Sequence, residues 1–388
     1  MDILRRFVQI YEKTEIPGIF AVWGGLAAIS ASIGRRAFLD MGTYTLYPNF
    51  YIVLVASSGK CRKSTAVGIV ERTLGTLDHP PNIVAQKLTP EALIDALRVG
   101  NSDPETTKLF REVCEGYILV DELANFLNRK TYESGLPGLL ISLYDCKDEF
   151  TYRTKGRGIE KLTFSYLGML SASTIDWIRD ALPEDSIGSG LTSRIIFVYA
   201  QDPSSPVAIT SWSDEKEKAW QDVILLLNKV NKLQGAIRFS QDAWSSYEKE
   251  YNLFYEKSNF YHMKTLAGYA ARRGSHHLKL SVLFALSRTQ TLIVEEVDVI
   301  AAKDLLSLVE QNMPKVLELI SSSDVGMLNE EIFTLIKQNK ELELSRIIAR
   351  MSHKLDYRGV WDVLDTLVRS EVVQSIARGG RIFYSVRK

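Results

Sequence analysis

The stretch Phe50-Tyr51-Ile52-Val53-Leu54-Val55-Ala56-Ser57-Ser58-Gly59-Lys60-Cys61-Arg62-Lys63-Ser64-Thr65 decides how the rest of the chain is read. Its apolar, β-branched first half has the pattern of a strand buried on both faces of a parallel sheet. A polar loop follows, then a predicted helix from Thr65 to Leu77. Such a loop holds phosphate when its backbone N–H groups surround the oxygens, a lysine reaches the terminal phosphates and a hydroxyl opening the next helix meets Mg2+. Lys63 and Ser64 take the lysine and hydroxyl places, with Lys60 a competitor for the first. Ser58, Gly59, Cys61, Arg62 and Thr65 complete the candidate cradle, whereas Ser57 and Arg62 stand where the usual pattern has glycines. The same segment also reads as a basic, serine-rich turn without a ligand.

Downstream, Tyr117-Ile118-Leu119-Val120-Asp121-Glu122 is an apolar strand ending in two carboxylates, the layout of a Walker B strand. In that layout the first carboxylate, Asp121, holds Mg2+, and the second, Glu122, orients or deprotonates the water that attacks the γ-phosphate. The alternative is an acidic cap to a helix from Leu123 to Asn128. Ser171, Ala172, Ser173 and Thr174 follow a predicted strand from Leu162 to Leu170, where Ser173 could sense a phosphate or the hydroxyls could cap the next helix. Gly188-Ser189-Gly190-Leu191-Thr192-Ser193-Arg194 delivers one arginine to a strand start, either as a finger that stabilises transition-state charge in a neighbouring subunit or as a salt-bridged edge residue. A basic segment from Thr151 to Gly158, with Arg153, Lys155 and Arg157, reads as a hairpin that tracks a nucleic-acid backbone or as a solvated turn.

Outward from these motifs, strands alternate with helices at Asn82 to Gln86, Thr89 to Arg98, Gly116 to Val120 and Arg194 to Ala200, so an α/β domain with a mostly parallel sheet is expected. The predicted organisation is a helical preface (1–45), a core (46–205), a helical domain (206–322) and a C-terminal domain (323–388), with Gln201-Asp202-Pro203-Ser204-Ser205-Pro206 marking the second edge. Helices are predicted over Asp242 to Tyr261, Gly268 to Ser287 and Val294 to Leu319. The last segment reads as helices Asn329 to Gln338, Leu344 to His353 and Tyr357 to Ser370, then a hairpin about Arg378-Gly379-Gly380-Arg381, a winged-helix pattern.

The 388 residues carry 47 basic and 47 acidic side chains, so no global field draws the chain to nucleic acid or an acidic membrane, and contacts must come from local patches. One such patch is Leu344 to Lys388, with nine Lys or Arg against four Asp or Glu, where Arg346, Arg350, Arg378 and Arg381 are candidate phosphate contacts. Three scattered cysteines argue against a disulfide framework and for a reducing, cytoplasmic compartment, and five histidines without ligand spacing give no structural zinc. Ile16 to Gly34 is uncharged and nearly long enough to span a bilayer, but its Gly, Ala and Ser content and the charged amphipathic stretch before it favour a buried helix, with no membrane partner.

Together these parts resemble the RecA-like, helicase-type P-loop ATPases of phages, plasmids and integrated elements, which are often joined to primase-polymerase domains. The resemblance spans nearly the whole chain, through T-E-I-P-G-I-F-A-V-W-G-G-L-A-A-I-S-A-S-I-G-R-R (14–36), Y-P-N-F-Y-I-V-L-V-A-S-S-G-K-C-R-K-S-T-A (47–66), L-V-D-E-L (119–123), M-L-S-A-S-T-I-D-W-I (169–178) and G-S-G-L-T-S-R-I-I-F-V (188–198). The family also tolerates a non-glycine before the phosphate lysine. The resemblance implies a RecA-like core with ATP and Mg2+ as cofactors, Lys63 and Ser64 at phosphate and metal, Asp121 and Glu122 at metal and water, and Arg194 as the finger. It implies an ATP-driven DNA motor, a ring-forming replicative helicase, with single-stranded or forked DNA as partner, a homo-oligomeric ring such as a hexamer, and a primase or polymerase as a further partner. No primase-like segment is expected within the residues ahead of the core. Two other functions remain open: an ATPase switch or loader that binds DNA without unwinding it, and a degenerate P-loop scaffold, suggested by Ser57 and Arg62.

Overall fold

The computed structural model describes residues 2–84, 89–99, 113–154, 158–182, 190–321 and 324–387. Five strands build a parallel sheet: β1 (Tyr51–Val55), β2 (Ile83–Val84), β3 (Glu115–Val120), β4 (Tyr166–Ser173) and β5 (Ile195–Tyr199), in the spatial order β2-β3-β4-β1-β5. All of β1 and β4 is buried, which explains why β1 reads as an unbroken apolar run rather than an alternating one, as does β4 up to Ser171 apart from Gly168. The chain is therefore α/β. Each strand ends at the same edge of the sheet, where open α/β sheets present their loops to ligands.

Close packing inside the sheet depends on small residues. Gly168 in β4 lies directly opposite Tyr117 in β3, and a Cβ there would collide with the tyrosine ring. The missing side chain leaves room for a fully buried aromatic in the middle of the sheet.

Helix α1 (Ile3–Tyr11) is capped by Asp2, whose carboxylate accepts from Leu4 N and Arg5 N, and it buries Ile3, Leu4, Phe7, Ile10 and Tyr11. Helix α2 (Gly18–Ile33) is apolar on every side and buried from Phe20 onward apart from half-buried Val22. It is the one helix among the described residues long and apolar enough to cross a membrane, and here it is enclosed by α1, the sheet, α3 (Lys63–Gly75), and helices Asp214–Asn231 and Ala267–Thr289. Gly25 permits the contact with α1, since a Cβ would stand 2.8 Å from Leu4 Cδ2. Further helices at 241–257, 296–310 and 313–321 extend the same apolar core, which runs from Ile3 to Ile320.

Several predicted boundaries shift for identifiable reasons. The single strand expected over Leu162 to Leu170 is two: Gly158–Thr163 pairs with Glu149–Thr154 in an antiparallel hairpin, Phe164 turns in a left-handed conformation (φ 48°), and β4 begins at Tyr166. Consequently Ser171, Ala172 and Ser173 are the last residues of β4 rather than residues beyond it. The helix expected over Val294 to Leu319 breaks into Glu296–Glu310 and Met313–Ser321, with Pro314 accommodated in the first turn of the second. Thr89 does cap Pro90–Val99, its hydroxyl accepting from Ala92 N, while Ala85 and Gln86 lie outside the described residues.

The chain divides into two compact units, Met1–Ile320 and Ser321–Lys388. The second contains helices Asp324–Asn339, Leu344–Met351 and Tyr357–Arg369 and strands Val373–Arg378 and Arg381–Val386. A short strand at Glu341–Glu343, absent from the sequence reading, pairs with Arg381–Val386 and makes the sheet three-stranded. Ile332, Ile336, Ile347, Val360, Leu364 and Tyr384 are among the residues that form its separate core.

Candidate functional site

At the C-terminal edge of the sheet the segment from Ser57 to Arg62 joins β1 to α3. Gly59 (φ 70°), Cys61 (φ 62°) and Arg62 (φ 45°) all adopt left-handed backbone. That conformation is the physical reason phosphate loops favour glycine, and here Cys61 and Arg62 adopt it with side chains attached. A non-glycine held in this region costs of order 1 kcal/mol or more and is found where surrounding structure requires it, often at functional sites. No side chain caps α3, so the first-turn N–H groups of Lys63, Ser64 and Thr65 face the loop without a capping partner.

The two competing lysines point in different directions. Lys60 is exposed and pairs with Asp202 at 3.0 Å. Lys63 is buried, and its Nζ donates to the carbonyls of Ala56 (3.0 Å) and Ser57 (2.9 Å), folding back over the loop. Burial pushes its ammonium down from lysine's usual value, opposed by the charge of Glu122. Arg62 reaches out to Glu15 at 2.6 Å. Ser58, Ser64 and Thr65 are exposed and Cys61 is buried.

Strand β4 runs between β1 and β3, with Ser173 opposite Val55 and Ser171 opposite Val120. Ser173 therefore stands between the loop and the acidic pair. Its Oγ donates to Glu122 Oε1 at 3.2 Å, and its carbonyl accepts from Ala56 N at 3.4 Å. Thr174 instead caps helix Ile175–Ala181, accepting from Trp177 N. Capping thus falls to Thr174, and Ser173 is bonded to Glu122 instead. Glu122 is half-buried, and burial pushes its carboxyl above the usual range, against the Ser173 bond and Lys63, which pull it down. Asp121 is exposed.

These donors suit a magnesium ion carried mainly by phosphate oxygens: one free carboxylate and one first-turn hydroxyl are hard oxygen ligands, and such an ion keeps most of its shell from water and substrate. The described residues contain no cluster of three or more His, Cys, Asp or Glu that would cage a metal alone. Beside the loop, a groove of about 460 Å³ is lined by residues including Ile16, Arg62, Thr65, Ile69 and Trp212.

Arg194 lies elsewhere. It precedes Ile195, which pairs with Tyr51 at the start of β1, so it sits at the opposite edge of the sheet from the loop, roughly 13 Å away along the strand. The side chain is buried, bidentate to Asp145 (3.0 Å to both oxygens), and donates to Gly190 O. Gly188 and Ser189 of its loop are outside the described residues.

Of the basic hairpin, Arg153 is exposed on the strand Glu149–Thr154, while Lys155 and Arg157 lie outside the described residues. In the C-terminal unit, Arg346 and Arg350 are exposed on helix Leu344–Met351 and form no ion pair among the described residues. Arg378 and Arg381 pair with Glu341 (3.3 Å) and Glu343 (3.7 Å). Adding those two glutamates to the counted segment lowers its basic excess from five to three.

Compared with known proteins, the chain matches no family model and no curated relative. A cluster that sequence spacing gave no reason to group, Asp145, Arg272, His276 and Lys279, gathers near Arg194 around a separate cavity.

Proposed function

We propose that the chain is an ATP-hydrolysing motor on DNA, of the ring-forming, RecA-like helicase type, with a winged-helix C-terminal unit. The observation that carries this reading is the convergence, from three distant parts of the sequence, of the left-handed loop at Cys61 and Arg62, the acidic pair Asp121 and Glu122, and Ser173 between them. On this reading the backbone donors of residues 58–65 and Lys63 hold the phosphates, which requires Lys63 to exchange its carbonyl partners for phosphate oxygens. Glu122, fixed by Ser173, accepts the proton of the attacking water or orients it. Bound Mg2+, held by Ser64 and Asp121, would neutralise charge on the terminal phosphates. The groove at Trp212 would take the nucleoside.

Arg194 is too far from its own loop to act there, so its catalytic role requires a second copy and release from Asp145, which favours a homo-oligomer. DNA contact is assigned to Arg153 of the hairpin, with Lys155 and Arg157 beyond it in sequence, and to Arg346 and Arg350, which form no ion pair among the described residues. Arg378 and Arg381 contribute less, because their charges are already met by glutamates.

The deciding measurement is the ATPase rate with and without single-stranded DNA for the wild type and Glu122→Gln. A DNA-stimulated rate that falls about 100-fold or more in the variant is expected. An unstimulated, mutation-insensitive rate would overturn the motor. A switch or loader would hydrolyse ATP without separating a forked duplex, and a degenerate scaffold would show unchanged nucleotide affinity in Lys63→Ala.

A further inference from the structure

At the sheet edge opposite the loop, a cavity of about 280 Å³ opens between the segment leading into β1, the end of helix Leu136–Tyr144 and helix Ala267–Thr289. Its walls include Asn49, Tyr144, Arg272, His276 and Lys279. Three polar atoms on these walls are buried without a hydrogen-bond partner among the described residues: the Tyr144 hydroxyl and both ring nitrogens of His276. Native interiors pair nearly all such atoms with protein, water or ligand, so three orphans around one cavity call for an occupant.

Charge indicates what kind. Lys279 is 4% exposed, and its Nζ donates to Asn49 O (3.2 Å) and Oδ1 (2.7 Å) and lies 4.1 Å over the Tyr144 ring, with no carboxylate bonded to it among the described residues. Arg272 is half-buried and forms no ion pair or hydrogen bond among the described residues. Burial, together with Arg194, disfavours its charge, and burial pushes Lys279 down to about 8. The carboxylate on this wall, Asp145, is already bidentate to Arg194. Asp145 favours both charges through space, but Arg194, Arg272 and Lys279 are three cations around this one carboxylate, which leaves an excess of positive charge in a partly desolvated space among the described residues.

We propose that this cavity is a phosphate-binding site separate from the loop at 57–65, with Arg272 and Lys279 as its cationic contacts and His276 and Tyr144 as its neutral ones. A phosphate group fits the arrangement because it offers several acceptor oxygens to donors arriving from different walls, and a guanidinium matches its geometry. The site and its free source do not depend on the loop's role, and only the carried source named next rests on the loop holding a nucleotide as proposed above. The phosphate can come from free solution or from a nucleotide carried by a second copy.

The test uses the full chain carrying Lys63→Ala, so that the loop at 57–65 does not contribute. Inorganic phosphate, pyrophosphate and malonate are titrated by calorimetry at a concentration where sedimentation shows monomer. Saturable binding of phosphate or pyrophosphate, weakened at least tenfold by Arg272→Gln, is expected, and identifies a free source. Arg272 has no internal bond to lose among the described residues, and a thermal melt checks that this variant folds; Lys279→Met is the second variant. In the other arm, the Lys63→Ala chain is mixed with a loop-intact Arg272→Gln chain. Association that requires ATP and is lost when both chains carry Arg272→Gln identifies the carried source. If neither arm gives binding, if Arg272→Gln changes nothing in either, or if malonate binds as tightly as phosphate, the proposal fails and the cavity holds water.

Discussion

Ser173 Oγ donates to Glu122 Oε1 across 3.2 Å, tying the last residue of β4 to the residue two places beyond the end of β3. Ser173 is fully buried and Glu122 half-buried, so the bond fixes the carboxylate and stabilises its charged form. In Ser173→Ala that stabilisation is gone and burial pushes the Glu122 carboxyl further up. Because the proposed role needs the ionised form, the acid limb of the ATPase pH profile should move to higher pH, with the rate at pH 6 falling more than the rate at pH 8. A parallel drop at both values would assign Ser173 a role other than holding Glu122.

Arg62 offers a test of why the loop lacks its glycine. Its left-handed backbone (φ 45°) is costly for any side chain and worst for a β-branched one. Arg62→Gly relieves that strain but gives up the exposed pair with Glu15 and adds glycine's freedom to the unfolded chain, so stability should stay level or rise by at most about 1 kcal/mol. Arg62→Val should lower it by roughly 1–2 kcal/mol. Denaturant midpoints of the two variants decide the matter, and equal midpoints would mean the loop relaxes freely.

Gly168→Ala probes the sheet interior. The added methyl meets the Tyr117 ring, which is enclosed on all sides and has nowhere to turn. A loss of about 1–3 kcal/mol is expected from overpacking. The double variant Gly168→Ala, Tyr117→Leu should recover part of it, a coupling that a denaturation cycle reads directly.

His277 predicts acid sensitivity. Its Nε2 donates to Val299 O at 2.9 Å, and burial pushes its pKa from 6.5 to about 4. The folded value lies below the unfolded one, so the unfolded chain binds the proton first as pH falls. Stability is therefore lost progressively from pH 6.5 to about 4, by roughly 3 kcal/mol. His277→Gln, which can still donate to Val299, should flatten that slope in unfolding curves taken across the window. An unchanged slope would exclude His277 as its source.

What the sequence made readable was set by contact range. The apolar runs at Tyr51, Tyr117 and Ile195 gave the strands because double-sided burial leaves a mark in consecutive residues. The loop, the acidic pair and Ser173 were each legible locally, though nothing local says that they meet. Phe164 hid the break before β4, since neither glycine nor asparagine marks its left-handed turn. The partner of Arg194 is 49 residues away in Asp145, and the hairpin arginines Arg378 and Arg381 are met by glutamates just upstream of Leu344. Pairings of that kind follow from topology, which hydrophobic period does not encode.

The enclosure of α2 has a consequence for biosynthesis. Part of its cover comes from helices Asp214–Asn231 and Ala267–Thr289. About 180 residues separate the end of α2 from the first of them, which at ribosomal speeds of roughly 5–20 residues per second takes on the order of 10–40 s. Throughout that interval a helix without charge and nearly as long as a bilayer is thick is only partly covered on the nascent chain. It is then a natural client for a holding chaperone, and a segment that a translocation apparatus could mistake for cargo.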